Sequence, residues 1–204
     1  MPNPRNSLLG LLGLLVACAA TPDASGPSVS GPTFVPVRDL PVNHAPFGEL
    51  ESSWKQRLAQ PYVYLDHTGS YRDTGALLPV LHREALAQSL TPSGPPFGLY
   101  YDNPAAVPVE RLRSRACLPV ATPVEPRPPL AGATLPSTTV IYAYIGGPYP
   151  EVAQAYPPLL GHLARMGWVL SGPVRETYLI APDSVQDYGE LITEIQIPGG
   201  PAGG

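Results

Sequence analysis

Apolar and polar positions along this chain change their spacing in a fixed order, and the same order occurs twice. A run of β-branched and aromatic residues, typical of a strand, is followed by a glycine turn and then by apolar residues at the spacing of an amphipathic helix. Two further strand-like runs complete each β-α-β-β unit. In the first and second units respectively, these patterns predict a strand at residues 62–66 and 139–145, a helix near residues 74–90 and 151–166, a strand at 97–101 and 176–180, and a strand at 112–120 and 191–197.

The two units are copies of one another, because matching residues recur at a constant separation. Gly69 and Gly147 are 78 residues apart, and Tyr100 and Tyr178 have the same separation. The other matches are Ser93-Gly94-Pro95 with Ser171-Gly172-Pro173, Pro79 with Pro157, Pro104 with Pro182 and, after one inserted residue, Pro119 with Pro198. So many matches in one order indicate duplication.

The segments around the two units differ from them in composition. Residues 18–46 are rich in proline, glycine, serine and alanine and lack periodicity, which is typical of a flexible tether. A short helix is expected at residues 49–59. The expected organisation is a leader at residues 1–17, the tether at 18–46, a folded domain at 47–199 with a first module at about 61–120, a connector at 121–137 and a second module at about 138–199, and a loose tail at 200–204.

The first eighteen residues have the pattern of a bacterial lipoprotein signal. Arg5 precedes an apolar run at residues 8–16, which is the length of a secretory apolar segment and too short to span a bilayer. The run ends in Leu15-Val16-Ala17-Cys18, which resembles the site where a cysteine is lipidated and the leader is cut just before it. The alternative is an ordinary signal peptide cut nearby. We expect a protein anchored by Cys18 to a membrane of the cell envelope, on its extracytoplasmic side.

Composition and charge exclude several classes of function. Proline contributes 29 of 204 residues, so long uninterrupted helices are not expected. A formal charge of −4 and a pI near 5.5 argue against a nucleic-acid partner. No hydrolase, metalloprotease or phosphate-loop signature is present, the four histidines are scattered, and no cysteine pair is spaced for zinc. We therefore expect neither a metal site nor a cofactor.

The motifs of both units resemble those of the GyrI-like family. In the second unit they are Gly147-Pro148-Tyr149, Ser171-Gly172-Pro173, Tyr178, Pro182 and the run Thr193-Glu194-Ile195-Gln196-Ile197-Pro198. The family includes effector-binding domains of AraC- and MerR-type regulators. The resemblance implies an α+β fold in which duplicated β-α-β-β modules form one curved antiparallel sheet, with the helices on one side and a ligand cleft within the curve. Regulators of this type carry a DNA-binding helix-turn-helix before the domain, where this chain has the leader and tether.

The resemblance also implies which residues face a ligand. It places the pocket carboxylate at Glu194, and period two puts Glu194 on the strand face opposite Thr193, Ile195 and Ile197. The residue at the same position of the first copy is Arg115, so an ion pair across the cleft is possible. The aromatic candidates are Tyr178, Tyr149, Tyr100, Tyr71 and Trp168. The alternatives are a solvated Glu194 and aromatic side chains that only pack in the core.

A carboxylate among aromatic rings suits a cationic or amphipathic aromatic molecule. The leading hypothesis is therefore a lipid-anchored small-molecule-binding protein rather than an enzyme. One alternative is a GyrI-like hydrolase of reactive electrophiles, with Glu194 as the base. A second alternative is a module that binds a protein partner at the envelope.

Overall fold

A mostly antiparallel sheet of ten strands dominates the computed structural model, which describes residues 40–201. The strands are β1 (Val42–Asn43), β2 (Ser53–Arg57), β3 (Gln60–Thr68), β4 (Phe97–Tyr100), β5 (Arg113–Pro119), β6 (Ala131–Leu135), β7 (Thr138–Gly146), β8 (Trp168–Leu170), β9 (Val174–Tyr178) and β10 (Ile192–Pro201). This mixed α+β architecture confirms the predicted fold class.

Each module places its helical segment between its first and second strands, as predicted. In the first module the 3-10 helix Tyr71–Leu77 runs into α1 (Leu78–Ala87). In the second, α2 (Tyr149–Val152) and the 3-10 turn Ala153–Ala155 lead into α3 (Tyr156–Arg165). Pro79 and Pro157 lie in the first turns of α1 and α3, where the missing N–H leaves no helical hydrogen bond unmade. Further 3-10 turns are Val109–Arg111, Pro182–Ser184 and Tyr188–Glu190.

The two modules join in the middle of the sheet, where β4 and β9 pair antiparallel. The central strands follow the order β7-β10-β9-β4-β5-β3, so each half mirrors the other across this pair. Gly98 lies directly opposite Glu176, and these residues are also the equivalent positions of the two copies. They therefore mark the pseudo-twofold axis of the duplication.

The two outer edges of the sheet come close to one another. Strand β2 pairs with β7 in the second module, while β3, only two residues further along the chain, belongs to the first module. The strand β6 pairs with β3 and leads, after two residues, into β7. Two linking residues make three Cα–Cα steps, which span at most about 11 Å, so the sheet must curve until its edges approach one another. The Gln56 Nε2 donates to Ser137 Oγ at 3.0 Å across this junction.

The main apolar clusters lie between the sheet and the helices. The cluster under α3 contains Ile141, Ala143, Ile145, Val152, Ala155, Leu159, Leu163, Ile195 and Ile197, and the cluster under α1 contains Val63, Leu81, Ala85, Ala116, Leu118, Val120 and Leu130. A smaller cluster of Tyr62, Phe97, Leu99, Cys117 and Leu135 includes residues of the other face. None of the helices within residues 40–201 has the length and apolar character that a membrane span requires.

Several expected boundaries differ from the structure. The helix expected at residues 49–59 is wrong, because residues 53–57 form β2 along the edge of β7. The connector at 121–137 contains β6, and the expected loose tail begins inside β10, whose Gly200 and Pro201 pair with β8. At the other end, Val42–Asn43 pair with β7 although they belong to the expected tether. The predicted leader and Cys18 lie outside the described residues.

Candidate functional site

Four of the predicted aromatic residues come together on the helical side of the sheet, where the modules meet. The rings of Tyr71 and Tyr100 pack with centroids 4.9 Å apart, and those of Tyr149 and Tyr178 pack with centroids 5.1 Å apart. The hydroxyls of Tyr100 and Tyr178 are 2.7 Å apart and share a hydrogen bond across the pseudo-twofold axis. We call these four residues, together with Tyr156 and Glu176, the tyrosine cluster.

The carboxylate of this cluster is Glu176, which the sequence analysis missed. Tyr156 donates its hydroxyl to Glu176 Oε1 at 2.5 Å, and the hydroxyls of Tyr100 and Tyr178, which share one hydrogen bond with each other, also interact with this carboxyl group. Burial raises the pKa of Glu176 above its ordinary value, because desolvation outweighs the stabilisation of the carboxylate by the neighbouring hydroxyls. Among residues 40–201, no cation forms a salt bridge with it. The cluster therefore holds a desolvated acid without a counter-charge.

The surrounding hydroxyls keep their protons at neutral pH. Burial and the charge of Glu176 together raise the pKa of Tyr149 to about 12. The same two causes raise the pKa of Tyr156 well above its ordinary value. Both hydroxyls thus stay protonated, and that of Tyr156 remains a hydrogen-bond donor to Glu176.

Gly98 makes room for the cluster on the first module's side of the axis. A Cβ atom at this position would lie 2.7 Å from the Tyr100 hydroxyl oxygen and 2.9 Å from Tyr100 Cζ. The Tyr100 ring therefore lies across the space that a side chain at position 98 would fill. As a result, the carboxylate of Glu176 has no counterpart from the first copy, and the site carries a single acid.

Glu194, the predicted pocket carboxylate, lies on the opposite face of the sheet. It is opposite Thr177 and Tyr144 in the strand pairing, whereas Ile195 is opposite Glu176. The side chain forms an ion pair with Lys55 and accepts a hydrogen bond from Gln196 Nε2 at 3.0 Å. The expectation that Glu194 shares a site with the tyrosines is therefore wrong, although its orientation away from the helices is as predicted.

Two other predicted positions also lie outside the tyrosine cluster. Trp168 belongs to β8 and packs against Trp54, with ring centroids 6.4 Å apart. Arg115 occupies the position equivalent to Glu194 but pairs with Asp66 at 2.8 Å and lies over the Tyr64 ring at 3.8 Å. The ion pair considered between Arg115 and Glu194 does not form.

Period two alone could have identified Glu176. Residues two apart on a strand share a face, so Glu176 lies on the same side of β9 as Tyr178, which the sequence analysis had selected. Tyr156 belongs to α3, and its hydroxyl reaches Glu176 on β9 because the helix packs on this side of the sheet. That contact depends on tertiary packing and leaves no local signal.

The fold and this site define a duplicated α+β small-molecule-binding domain. The profile of the GyrI-like small molecule binding domain matches residues 51–199. The chain belongs to the GyrI-like family. No curated protein sequence matches the chain significantly.

Solved structures show the same fold at low sequence identity. The C-terminal domain of EcmrR is 21% identical, with a TM-score of 0.68, over 74% of this chain and 98% of that domain. In the EcmrR–DNA complex the match covers only 58% of the EcmrR chain. SAV2435 bound to tetraphenylphosphonium is 16% identical (TM-score 0.55), over 74% of this chain and 94% of that one. A hydrolase from Listeria innocua is 9% identical (TM-score 0.53), over 74% and 93% respectively.

Proposed function

We propose that the tyrosine cluster binds a small cationic aromatic or amphipathic molecule, with Glu176 as its counter-charge. The observation that carries this proposal is a desolvated carboxylate surrounded by aromatic rings, without a cation among the described residues. Its position at the junction of the two modules agrees with the expected site between the repeats. SAV2435, which shares the fold, has been solved with the lipophilic cation tetraphenylphosphonium.

The physical chemistry favours a cation over a neutral ligand. A buried carboxylate is costly unless it is protonated, hydrogen-bonded or paired with a positive charge. Here the tyrosine hydroxyls, that of Tyr156 above all, satisfy part of that requirement. A cation gains both the charge pairing and attraction to the ring faces of the tyrosines. Loss of one partner from a buried charge pair costs about 2–5 kcal/mol.

The test is a titration of the full chain with tetraphenylphosphonium and with tetraphenylborate, which has the same shape and the opposite charge. We expect the cation to bind and the anion to bind much more weakly. Glu176→Gln keeps the size of the side chain and should weaken binding of the cation at least tenfold. Glu194→Gln is the matched control, because it removes a carboxylate from the other face of the sheet and should leave the affinity unchanged. Equal losses in both variants, or none in either, would refute the site.

The pH dependence of binding provides a second readout. The raised pKa of Glu176 means that the carboxyl group holds its proton to a higher pH than an ordinary glutamate. A cation binds the ionised form, so its affinity should rise with pH through that pKa and then level off. Glu176→Gln should remove this rise. An affinity that is independent of pH in the unmodified protein would contradict the role of Glu176.

A second candidate function is hydrolysis of an electrophile. The short contact between Tyr156 and Glu176 couples a hydroxyl to a carboxyl group of raised pKa, an arrangement suited to general acid–base chemistry. A structure with the same fold is described as a hydrolase. Turnover of a reactive electrophile that is lost in both Glu176→Gln and Tyr156→Phe would establish this activity. Binding without turnover would leave the small-molecule-binding function.

We also propose that Cys18 carries a lipid that anchors the protein in the cell envelope. Support comes from the sequence pattern alone, namely Arg5, the apolar run at residues 8–16 and the cysteine that follows it. Cys18→Ala should abolish labelling with a radioactive fatty acid and release the protein from membranes. Unchanged labelling in this variant would contradict the lipoprotein assignment.

A further inference from the structure

We propose that the face of the sheet opposite the tyrosine cluster holds a second site, which binds an organic anion through Arg57 and Arg175. The anion would carry a phosphate or carboxylate group, whose oxygen atoms match the planar donors of two guanidinium groups. This site is separate from the cation site, since Arg175 and Glu176 are neighbours on β9 and point to opposite faces.

The charges on this face do not balance. Lys55 is neutralised by its ion pair with Glu194. Arg57 and Arg175 have no such partner, because no salt bridge to either forms within residues 40–201. Arg175 is only 6% exposed. The charge of Glu194 also acts on Arg175, but this carboxylate is already paired with Lys55. The face thus keeps two positive charges, one of them well buried, and buried charges in folded proteins are normally paired.

The free hydrogen-bond donors point to the same conclusion. Arg175 Nη1 donates to Gln60 Oε1 at 2.7 Å, but Arg175 Nε has no acceptor among the described residues. Arg57 Nε and Nη1 also lack an acceptor among the described residues. The third nitrogen atom, Arg57 Nη2, lies 3.5 Å from the carbonyl oxygen of Pro136. Few buried donors remain unpaired in folded proteins. An oxyanion that enters beside the two side chains could supply acceptors for these nitrogen atoms after a small shift of the guanidinium groups.

The two guanidinium groups disturb one another and are held in place. Burial and the charge of Arg57 lower the pKa of Arg175 to about 10, and burial also lowers the pKa of Arg57. Arg175 cannot turn away freely, because its guanidinium lies 4.0 Å above the Phe97 ring and is tied to Gln60. A bound anion would compensate both charges.

A cleft of about 520 Å³ gives a ligand access to both arginines. It lies where β2 turns into β3 and the edges of the sheet approach one another. Lys55, Gln60 and Gln196 add polar groups to its wall, and Pro61 and Val120 add apolar surface. The volume exceeds that of inorganic phosphate alone. An anion with an organic body, such as an aromatic phosphate ester or a dicarboxylate, fits the cleft better.

The test uses the full chain and calorimetric titration at constant ionic strength with inorganic phosphate, phenyl phosphate and phthalate. We expect phenyl phosphate or phthalate to bind, inorganic phosphate to bind more weakly, and added chloride to weaken all three. Arg57→Gln and Arg175→Gln should each reduce the affinity at least tenfold. The control Arg83→Gln removes an exposed arginine from the same chain and should have no effect.

Each result decides for or against the site. If Arg175→Gln fails to fold, Arg57→Gln still tests the proposal, because Arg57 is less buried. Tighter binding of the phosphate or of the carboxylate probe would identify the recognised group. Absence of binding by all three probes would overturn the proposal. Equal affinities in Arg57→Gln and Arg83→Gln would do the same, and the arginines would then be structural.

Discussion

The two faces of the central strand β9 differ in the sign of the charge that each one buries. On the helical face, Glu176 lies among tyrosine hydroxyls, and no salt bridge neutralises it within residues 40–201. On the other face, Arg175 lies over Phe97 beside Arg57, equally without a carboxylate partner in that part of the chain. Strand alternation thus places two charges of opposite sign on the two faces of one strand, where we propose sites of opposite charge preference.

Neither charge has a counterpart in the first module. The residues equivalent to Arg175 and Glu176 are Phe97 and Gly98. Both help to accommodate the charged side chain of the second module on their own face of the sheet. The Phe97 ring supports the guanidinium of Arg175, and Gly98 leaves room for the tyrosine ring that reaches Glu176. The two copies therefore differ in charge at two adjacent positions, and the proposed sites are asymmetric for that reason.

The largest expected effect of a single change is on the arginine face. Phe97 is fully buried, so Phe97→Ala should lower the free energy of unfolding by about 3–5 kcal/mol. Urea denaturation measures this loss. The exposed Trp54→Ala is a control and should cost much less. If both variants lost the same amount, Phe97 would not be the core support of Arg175 that we describe.

Lys55→Gln tests how much the ion pair between Lys55 and Glu194 contributes to stability. The change leaves the buried Glu194 without its cation. We expect a loss of about 1–3 kcal/mol in the free energy of unfolding, below the value for a fully buried pair because Lys55 is one-third exposed. The double variant Lys55→Gln with Glu194→Gln should be more stable than Lys55→Gln alone. A less stable double variant would show that the pair does not explain the loss.

Glu176→Gln tests the helical face through the pH dependence of stability. Since the pKa of Glu176 is raised in the folded state, its contribution to stability is fully present below the unfolded value near 4.5. That contribution is lost as pH rises through the folded pKa. The variant should therefore melt at a higher temperature than the unmodified protein at pH 8, and the difference should shrink toward pH 4.5. If the difference in melting temperature between the two proteins were the same at every pH in this range, the raised pKa of Glu176 would be contradicted.

The smallest effect is expected at a charged pair on the surface, away from both faces. Arg83 and Glu84 form a contact of 3.2 Å, and the Arg83 side chain is 68% exposed. Arg83→Gln should change the free energy of unfolding by less than about 0.5 kcal/mol. If chemical denaturation showed a loss of more than about 1 kcal/mol in the free energy of unfolding, exposed charged pairs would contribute more to stability than we expect.

The modules could be predicted from sequence because their signals are local. Strand alternation, helical spacing and prolines at helix starts each involve neighbouring residues, and all of them placed elements correctly within a few positions. The strand β2 was missed because Ser53–Arg57 carries few apolar residues and gains its structure from β7, about 85 residues later in the chain. An edge strand of this kind has no local pattern of its own.

The candidate site was predicted only in part, for a related reason. The structure brings four of the predicted aromatic residues together, but the resemblance pointed to Glu194 instead of Glu176. Because side chains two apart on a strand share a face, the sequence already indicates that Glu176 lies on the same face as Tyr178. The proximity of Arg57 to Arg175 depends on the two edges of the sheet meeting, and no sequence spacing reveals that.

The most direct test of two sites on opposite faces of β9 removes the two neighbouring charges one at a time. Glu176→Gln and Arg175→Gln are each titrated with tetraphenylphosphonium and with phenyl phosphate. The account predicts that Glu176→Gln loses affinity for the cation and keeps it for the anion, and that Arg175→Gln does the reverse. Loss of both ligands in either variant, or of neither in both, would contradict the claim that one strand separates two sites of opposite charge.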